Sequence, residues 1–158
     1  MVGLQPLRSM LAEITAALIV LQPPDWILIP ALGISIPVVE SEYGVKAPSG
    51  RITWDFSFIT DEAGWLDTTA EPGEGNTVIG AHNPGPFSDV RTLEEGTQVI
   101  VHEGHTYHIY NVVDSYRVWA TDTRPTEETD DPQLTLLTCT ERDDIRQVVV
   151  LTYGGEFE

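Results

Sequence analysis

Beyond Pro23-Pro24 the chain is written in short runs of Val, Ile, Thr and aromatic residues, each closed by a Gly, Pro, Asn or Asp cluster. That texture admits few folds. β-branched and aromatic side chains suit a pleated, half-buried surface, and the punctuating residues set turns. Strands are expected at residues 26–29, 34–39, 52–58, 77–82, 98–102, 105–118, 134–138 and 146–153. Eight short strands with few helices make an all-β domain, either a sandwich or a closed barrel, and periodicity does not choose between them. Glu103-Gly104 separates two of the runs, a tight-hairpin signal. Residues 87–96 carry Phe87, Val90 and Leu93 at helical spacing, enough for one helical turn or two. Residues 119–133 (WATDTRPTEETDDPQ) form a long acidic connection with Ala120 as its one aliphatic residue. Connections of this length in compact domains are functional or disordered.

A length of 158 residues is one domain's worth. The reading divides it into an N-terminal extension, residues 1–23, and a β domain, residues 24–158. Within the extension, residues 10–21 (MLAEITAALIVL) have helix-forming composition that Pro23-Pro24 ends. The run contains Glu13 and falls short of the roughly 20 apolar residues that span a bilayer. No small-residue cleavage site follows it, as a signal peptide would require. A docked or dangling helix and the remnant of a membrane anchor are the two readings.

The charge is lopsided, with 25 Asp+Glu against 8 Lys+Arg and a net of −17. Nucleic-acid affinity is built from clustered cations, so a phosphate-backbone binder is excluded as the default, and anionic membrane surfaces are disfavoured. One cysteine, Cys139, permits neither an internal disulfide nor a thiolate zinc cage.

Cys139 ends the apolar run Leu134-Thr135-Leu136-Leu137-Thr138 and is followed by Thr140-Glu141-Arg142-Asp143-Asp144, so it sits where a buried strand opens onto a polar loop. A lone cysteine is commonly a small buried hydrophobe; a nucleophilic one needs an acid–base partner or a cation beside it. His82 closes another strand and leads into Asn83-Pro84-Gly85-Pro86. His102 and His105 flank the expected turn on one face, and His108 points to the other. Solvated hairpin residues are expected there, not a three-histidine metal site. Arg146 heads the run Gln147-Val148-Val149-Val150-Leu151. It is either a solvated strand terminus or a guanidinium aimed back at Cys139, where it would stabilise an oxyanion.

Residues 134–139 (LTLLTC) with Arg146-Gln147-Val148-Val149-Val150 resemble the Thr-x-x-Thr-Cys signature and downstream arginine strand of sortases, bacterial cysteine transpeptidases. Residues 64–83, ending Gly80-Ala81-His82-Asn83, resemble the segment that carries the sortase histidine, and residues 119–133 resemble the loop before the cysteine strand, including Asp122-Thr123 and Pro125-Thr126. The resemblance begins near Pro24 and runs to the C-terminus.

It implies an eight-stranded sortase β-barrel with short helices and the N-terminal helical extension. It implies Cys139 as nucleophile, His82 as acid–base partner and Arg146 as the oxyanion-stabilising group, with Arg142 the replacement were Arg146 misassigned. Thr138, Asn83 and Thr123 would line the substrate groove. The implied reaction cuts a sorting-signal peptide after threonine, forms a thioester, and passes the acyl group to an amine of a cell-wall peptide or pilin lysine, without a cofactor. The implied location is the extracytoplasmic face of a bacterial membrane, with the anchor missing or truncated in this chain. No apolar tail follows Tyr153, which speaks against subtypes with a C-terminal anchor; the resemblance is D-, E- or F-like, with no class assigned.

Glu127, Glu128, Asp130 and Asp131 crowd the long loop. They make a solvated acidic surface, a Ca²⁺ site or an attractor of a cationic amine. Two other functions stay open beside the transpeptidase. One is a cysteine protease that only hydrolyses its acyl-enzyme, the other a non-catalytic sortase-like binding module.

Overall fold

The structure, a computed structural model, describes residues 22–41, 43–46, 52–54 and 59–158. The expected N-terminal helix lies outside the described residues. Among the described residues ten strands follow in chain order: β1 (Trp26–Ile29), β2 (Ile34–Ser41), β3 (Tyr43–Lys46), β4 (Ile52–Trp54), β5 (Ala63–Leu66), β6 (Asn76–Gly80), β7 (Gln98–Glu103), β8 (Thr106–Trp119), β9 (Gln133–Cys139) and β10 (Ile145–Phe157). Single 3-10 turns stand at Pro30–Leu32, Val90–Thr92 and Arg124–Thr126.

Eight of these strands close into a barrel in the order β1-β2-β5-β6-β9-β10-β8-β7, with β7 pairing back onto β1. Closure leaves no unpaired edge in the barrel, which answers the sandwich-or-barrel question. Neighbours are antiparallel except at two seams, β2 with β5 and β6 with β9. Strands β3 and β4 form a separate two-stranded sheet.

The expected count of eight matches the barrel, but one member differs. The run at residues 52–58 contributes only β4 among the described residues, and β4 is outside the barrel. The eighth barrel strand is β5, whose four residues Ala63-Gly64-Trp65-Leu66 are all buried. So short a segment, half of it Ala and Gly, carries no alternation that reads as a strand. It is held as one because β2 and β6 supply its hydrogen bonds.

Alternate residues of successive strands fill the interior: Ile27 and Ile29, Trp65, Ile79, Val99 and Val101, Leu134 and Leu136, Val149 and Leu151. Phe87, Val90 and Leu93 cap this core from the β6–β7 connection, all three buried, as their spacing predicts, around a single 3-10 turn. A second cluster of Leu66, Val78, Leu137 and Val148 lies on the opposite face of the same strands. Strand β9 is therefore buried on both sides, and its run Leu134-Thr135-Leu136-Leu137-Thr138 is continuously buried instead of alternating.

Two local readings shift by small amounts. Glu103 pairs with Thr106, so the hairpin turn is Gly104-His105, one residue later than expected. Gly104 has φ +60° and no non-glycine among the described residues has positive φ, the pattern of a II′ turn with glycine in its first central position. Strand β10 runs to Phe157, four residues past the expected end, because Gly154-Gly155 makes a bulge and not a stop. A Cβ at Gly154 would lie 2.6 Å from the Asn111 amide nitrogen, which no side chain survives unmoved.

Of the hairpin histidines, His105 is exposed in the turn and His102 half-buried against Tyr107, ring centroids 4.5 Å apart. His108 departs from the solvated expectation. It is only 5% exposed and lies between Glu103, Tyr153 and Glu156. Its side points into the barrel end where β8 and β10 pair, a burial that hairpin spacing does not reveal.

Candidate active site

The parallel seam of β6 and β9 carries the site. Gly80 pairs with Leu137. The contact continues one residue further, as the Ala81 N–H donates to Leu137 O at 3.2 Å and Thr138 Oγ1 donates to Ala81 O at 2.8 Å. Both strands end together, which brings the His82-Asn83 step alongside Cys139. Asn83 then fastens the two ends: its Nδ2 donates to Cys139 O at 2.8 Å. On the other side of β9, Arg146 is the direct register partner of Cys139 across the antiparallel β9–β10 pairing. Residues separated by 56 and 7 positions in the chain thus meet at one barrel end.

His82 is half-buried, and its Nε2 lies 2.7 Å from Ile59 O. A carbonyl only accepts, so Nε2 carries the hydrogen and the neutral ring keeps Nδ1 for proton exchange. Cys139 is a free, half-buried thiol. Its neighbour Thr138 is 4% exposed and turned inward.

The arginines at this end differ in how they are held. Arg117 makes a two-pronged pair with Glu141, Nη1–Oε1 2.7 Å and Nη2–Oε2 3.3 Å. Arg142 pairs with Asp144 at 2.8 Å and stands over Trp119, 5.8 Å from the ring centroid. Both pairs pull their carboxylates below the usual range. Arg146 instead donates to the backbone carbonyls of Asp143 (2.9 Å) and Ile145 (3.1 Å). Among the described residues no carboxylate comes within ion-pair distance of it, so its charge is positioned without being neutralised. Arg142, the substitute candidate, is committed to its own loop.

A cavity of about 340 Å³ opens beside Cys139, lined by Asn83, Phe87, Arg91, Arg117, Thr138, Glu141 and Gln147 among others. Thr138 and Asn83, expected to line a groove, line this one. Thr123 does not: it is exposed and precedes the turn Arg124–Thr126, whose Thr126 hydroxyl donates to its carbonyl at 2.7 Å. Arg91, Arg117, Glu141 and Gln147 went unnoticed in the sequence. Arg117, Gln147 and Thr138 form one row across β8, β10 and β9, a neighbourhood created wholly by register.

The acidic loop has a fixed path set by hydrogen bonds to its backbone. Glu127, Glu128, Asp130 and Asp131 are exposed, and among the described residues no three His, Cys, Asp or Glu side chains gather into a group able to hold an ion. The loop is pinned by buried Asn76, whose Nδ2 donates to Pro125 O and Glu127 O, both at 2.9 Å. Its Oδ1 accepts from Thr135 Oγ1 at 2.7 Å. No helix among the described residues is long and apolar enough to cross a membrane.

Comparison with known proteins agrees with this architecture. Residues 27–153 match the family model described as a sortase domain. No curated protein matches by sequence. Among solved structures, Listeria monocytogenes sortase A superposes with a TM-score of 0.69 at 17% identity, covering 83% of this chain and 86% of that one. The SrtA sortase of Actinomyces oris gives 0.70 at 19%, covering 86% and 82%. A sortase E variant of Streptomyces avermitilis gives 0.69 at 23%, covering 86% and 90%. With the family model spanning the barrel from β1 into β10, this chain is a member of the sortase family.

Proposed function

We propose that this chain is a transpeptidase in which Cys139, His82 and Arg146 divide the labour of acyl transfer. The Cys139 thiolate adds to the carbonyl carbon after a threonine of a sorting-signal peptide. The oxygen of that carbonyl gathers negative charge, which the unneutralised Arg146 guanidinium opposes. Collapse breaks the C–N bond, and the departing amine takes a proton from the His82 imidazolium, leaving a thioester on Sγ. An acceptor amine then attacks the thioester and gives a proton to His82, and the thiolate leaves. Cysteine, imidazole and guanidinium supply this sequence without a cofactor. The acceptor is an amine of a cell-wall peptide or a pilin lysine, and the enzyme works at the outer face of a bacterial membrane.

One observation carries the reading: the ends of β6 and β9 are tied by the Asn83–Cys139 hydrogen bond, with Arg146 in register beside them. The test is a peptide-library cleavage screen run with and without added amine. The expected products are a thioester on Cys139, seen by intact mass, and a peptide–amine adduct. Hydrolysed peptide alone, whatever the amine concentration, would make the enzyme a protease. Absence of any thioester would leave a binding module.

A further inference from the structure

The cavity beside Cys139 has a chemical character of its own. Neither His82 nor Arg146 lines it. Its walls come from the row Arg117, Gln147 and Thr138, from the β9–β10 loop, and from the Asn83–Arg91 stretch. It is thus an approach to the sulfur-bearing strand end distinct from the one that Arg146 serves.

Its charge opposes that of the molecule. The chain has a net charge of −17 and only 8 Lys+Arg, yet Arg91 and Arg117 both face this cavity. The one carboxylate in the lining, Glu141, is committed to Arg117. Arg91 has no carboxylate within ion-pair distance among the described residues. The remaining lining is polar at Asn83, Ser88, Thr138, Thr140 and Gln147. At about 340 Å³ it suits a ligand of small peptide size.

We propose that this cavity is the second-substrate subsite of the transpeptidase, and that it selects an acceptor carrying a carboxylate near its nucleophilic amine. The inference rests on the transpeptidase reading above. Arg91 takes the carboxylate, since a guanidinium matches it in shape and charge. Arg117 stays in the wall, its charge matched by Glu141 and its Nε bonded to Gln147, so the net positive field in the cavity is that of Arg91. The same field favours the unprotonated, nucleophilic amine over the ammonium ion, because like charges disfavour each other. Asn83 is shared between the cavity wall and the Cys139 carbonyl, so an occupant sits against the strand end that bears the acyl group.

The experiment needs no knowledge of the sorting motif. Cys139 is charged with N-acetylthreonine from its benzyl thioester: Sγ takes the acyl group and benzyl thiol departs. Aminolysis is then followed with glycylglycine, which bears a carboxylate, and with glycylglycinamide, which does not. The ratio of the two rates within one enzyme cancels differences in loading. A preference of about tenfold or more for glycylglycine is expected, comparable to one charge-assisted hydrogen bond. It should shrink with added salt. Arg91→Gln should remove it, Arg91→Lys should retain part of it, and Glu141→Gln, which releases Arg117 from its partner, should widen it. Equal rates in the unmodified enzyme, or a preference that survives Arg91→Gln, overturn the proposal. A chain that never forms the thioester overturns the transpeptidase reading and this inference together, so the two failures are told apart by the mass of the protein before amine is added.

Discussion

Cys139 is placed by the backbone around it. Its carbonyl is gripped by Asn83, its strand is bonded on one side to β6 and on the other to β10, and its side chain remains half-buried at the strand tip. Cys139→Ala therefore removes the thiol without removing a support. Intact mass should show no thioester in that variant, while its unfolding free energy from denaturant titration stays within about 1 kcal/mol of the parent. His108 is the opposite kind of residue, remote from the site and structural. Burial holds its imidazole below the ordinary value, against the upward pull of Glu156. A histidine whose folded-state value is depressed contributes stability above its unfolded value, near 6.5, and loses it as pH falls below that. Glu103, 3.4 Å away, is pushed up by desolvation and by Glu71. Its contribution has the other sign, being present at low pH and lost as pH rises from the carboxylate range. Melting temperature should fall as pH is lowered from 7.5 towards 6, and His108→Gln should flatten that dependence.

At the scale of the element, the connection between β8 and β9 shows how an acidic, proline-bearing segment is given a fixed path. Asn76, 2% exposed, spends both amide hydrogens on Pro125 O and Glu127 O and its oxygen on Thr135 and Gln133. Asn76→Ala would leave the buried Thr135 hydroxyl hydrogen without its acceptor and release the loop, at a cost of roughly 2–3 kcal/mol. Asn76→Asp keeps the acceptor and loses the two donors, so it separates the latch from the core. In both variants a glutamate-specific protease should cut at Glu127 or Glu128 faster than in the parent.

For the whole molecule, closure of the barrel is what fixes the site. The ring is completed by β1, only four residues long, which pairs with β2 and β7. Ile27→Ala, at a fully buried position of β1, should cost about 2–5 kcal/mol. The loss should appear in one cooperative transition, with near- and far-ultraviolet circular dichroism coinciding, because a closed barrel cannot open one seam and keep the rest. The charge distribution belongs to this scale too. Arg91, Arg117, Arg142 and Arg146, half of the 8 cations, stand at the barrel end that holds Cys139.

What the sequence determined by itself was everything that local chemistry enforces. Strand texture, the glycine turn of the hairpin, the buried Phe87, Val90 and Leu93, and the placing of Cys139, His82 and Arg146 at strand ends all depend on neighbours within a few positions. Tertiary structure decided what depends on register: that Ala63–Leu66 and not the run at residue 52 completes the barrel, that Gly154-Gly155 bends β10 without ending it, and that His108 is buried. It also decided that Arg117, Gln147 and Thr138 share a row beside the thiol. Pairing sets which residues are neighbours across strands, and a shift of one position turns each side chain to the other face. No short stretch of sequence contains that information, because it is a property of two strands and the closed ring that holds them.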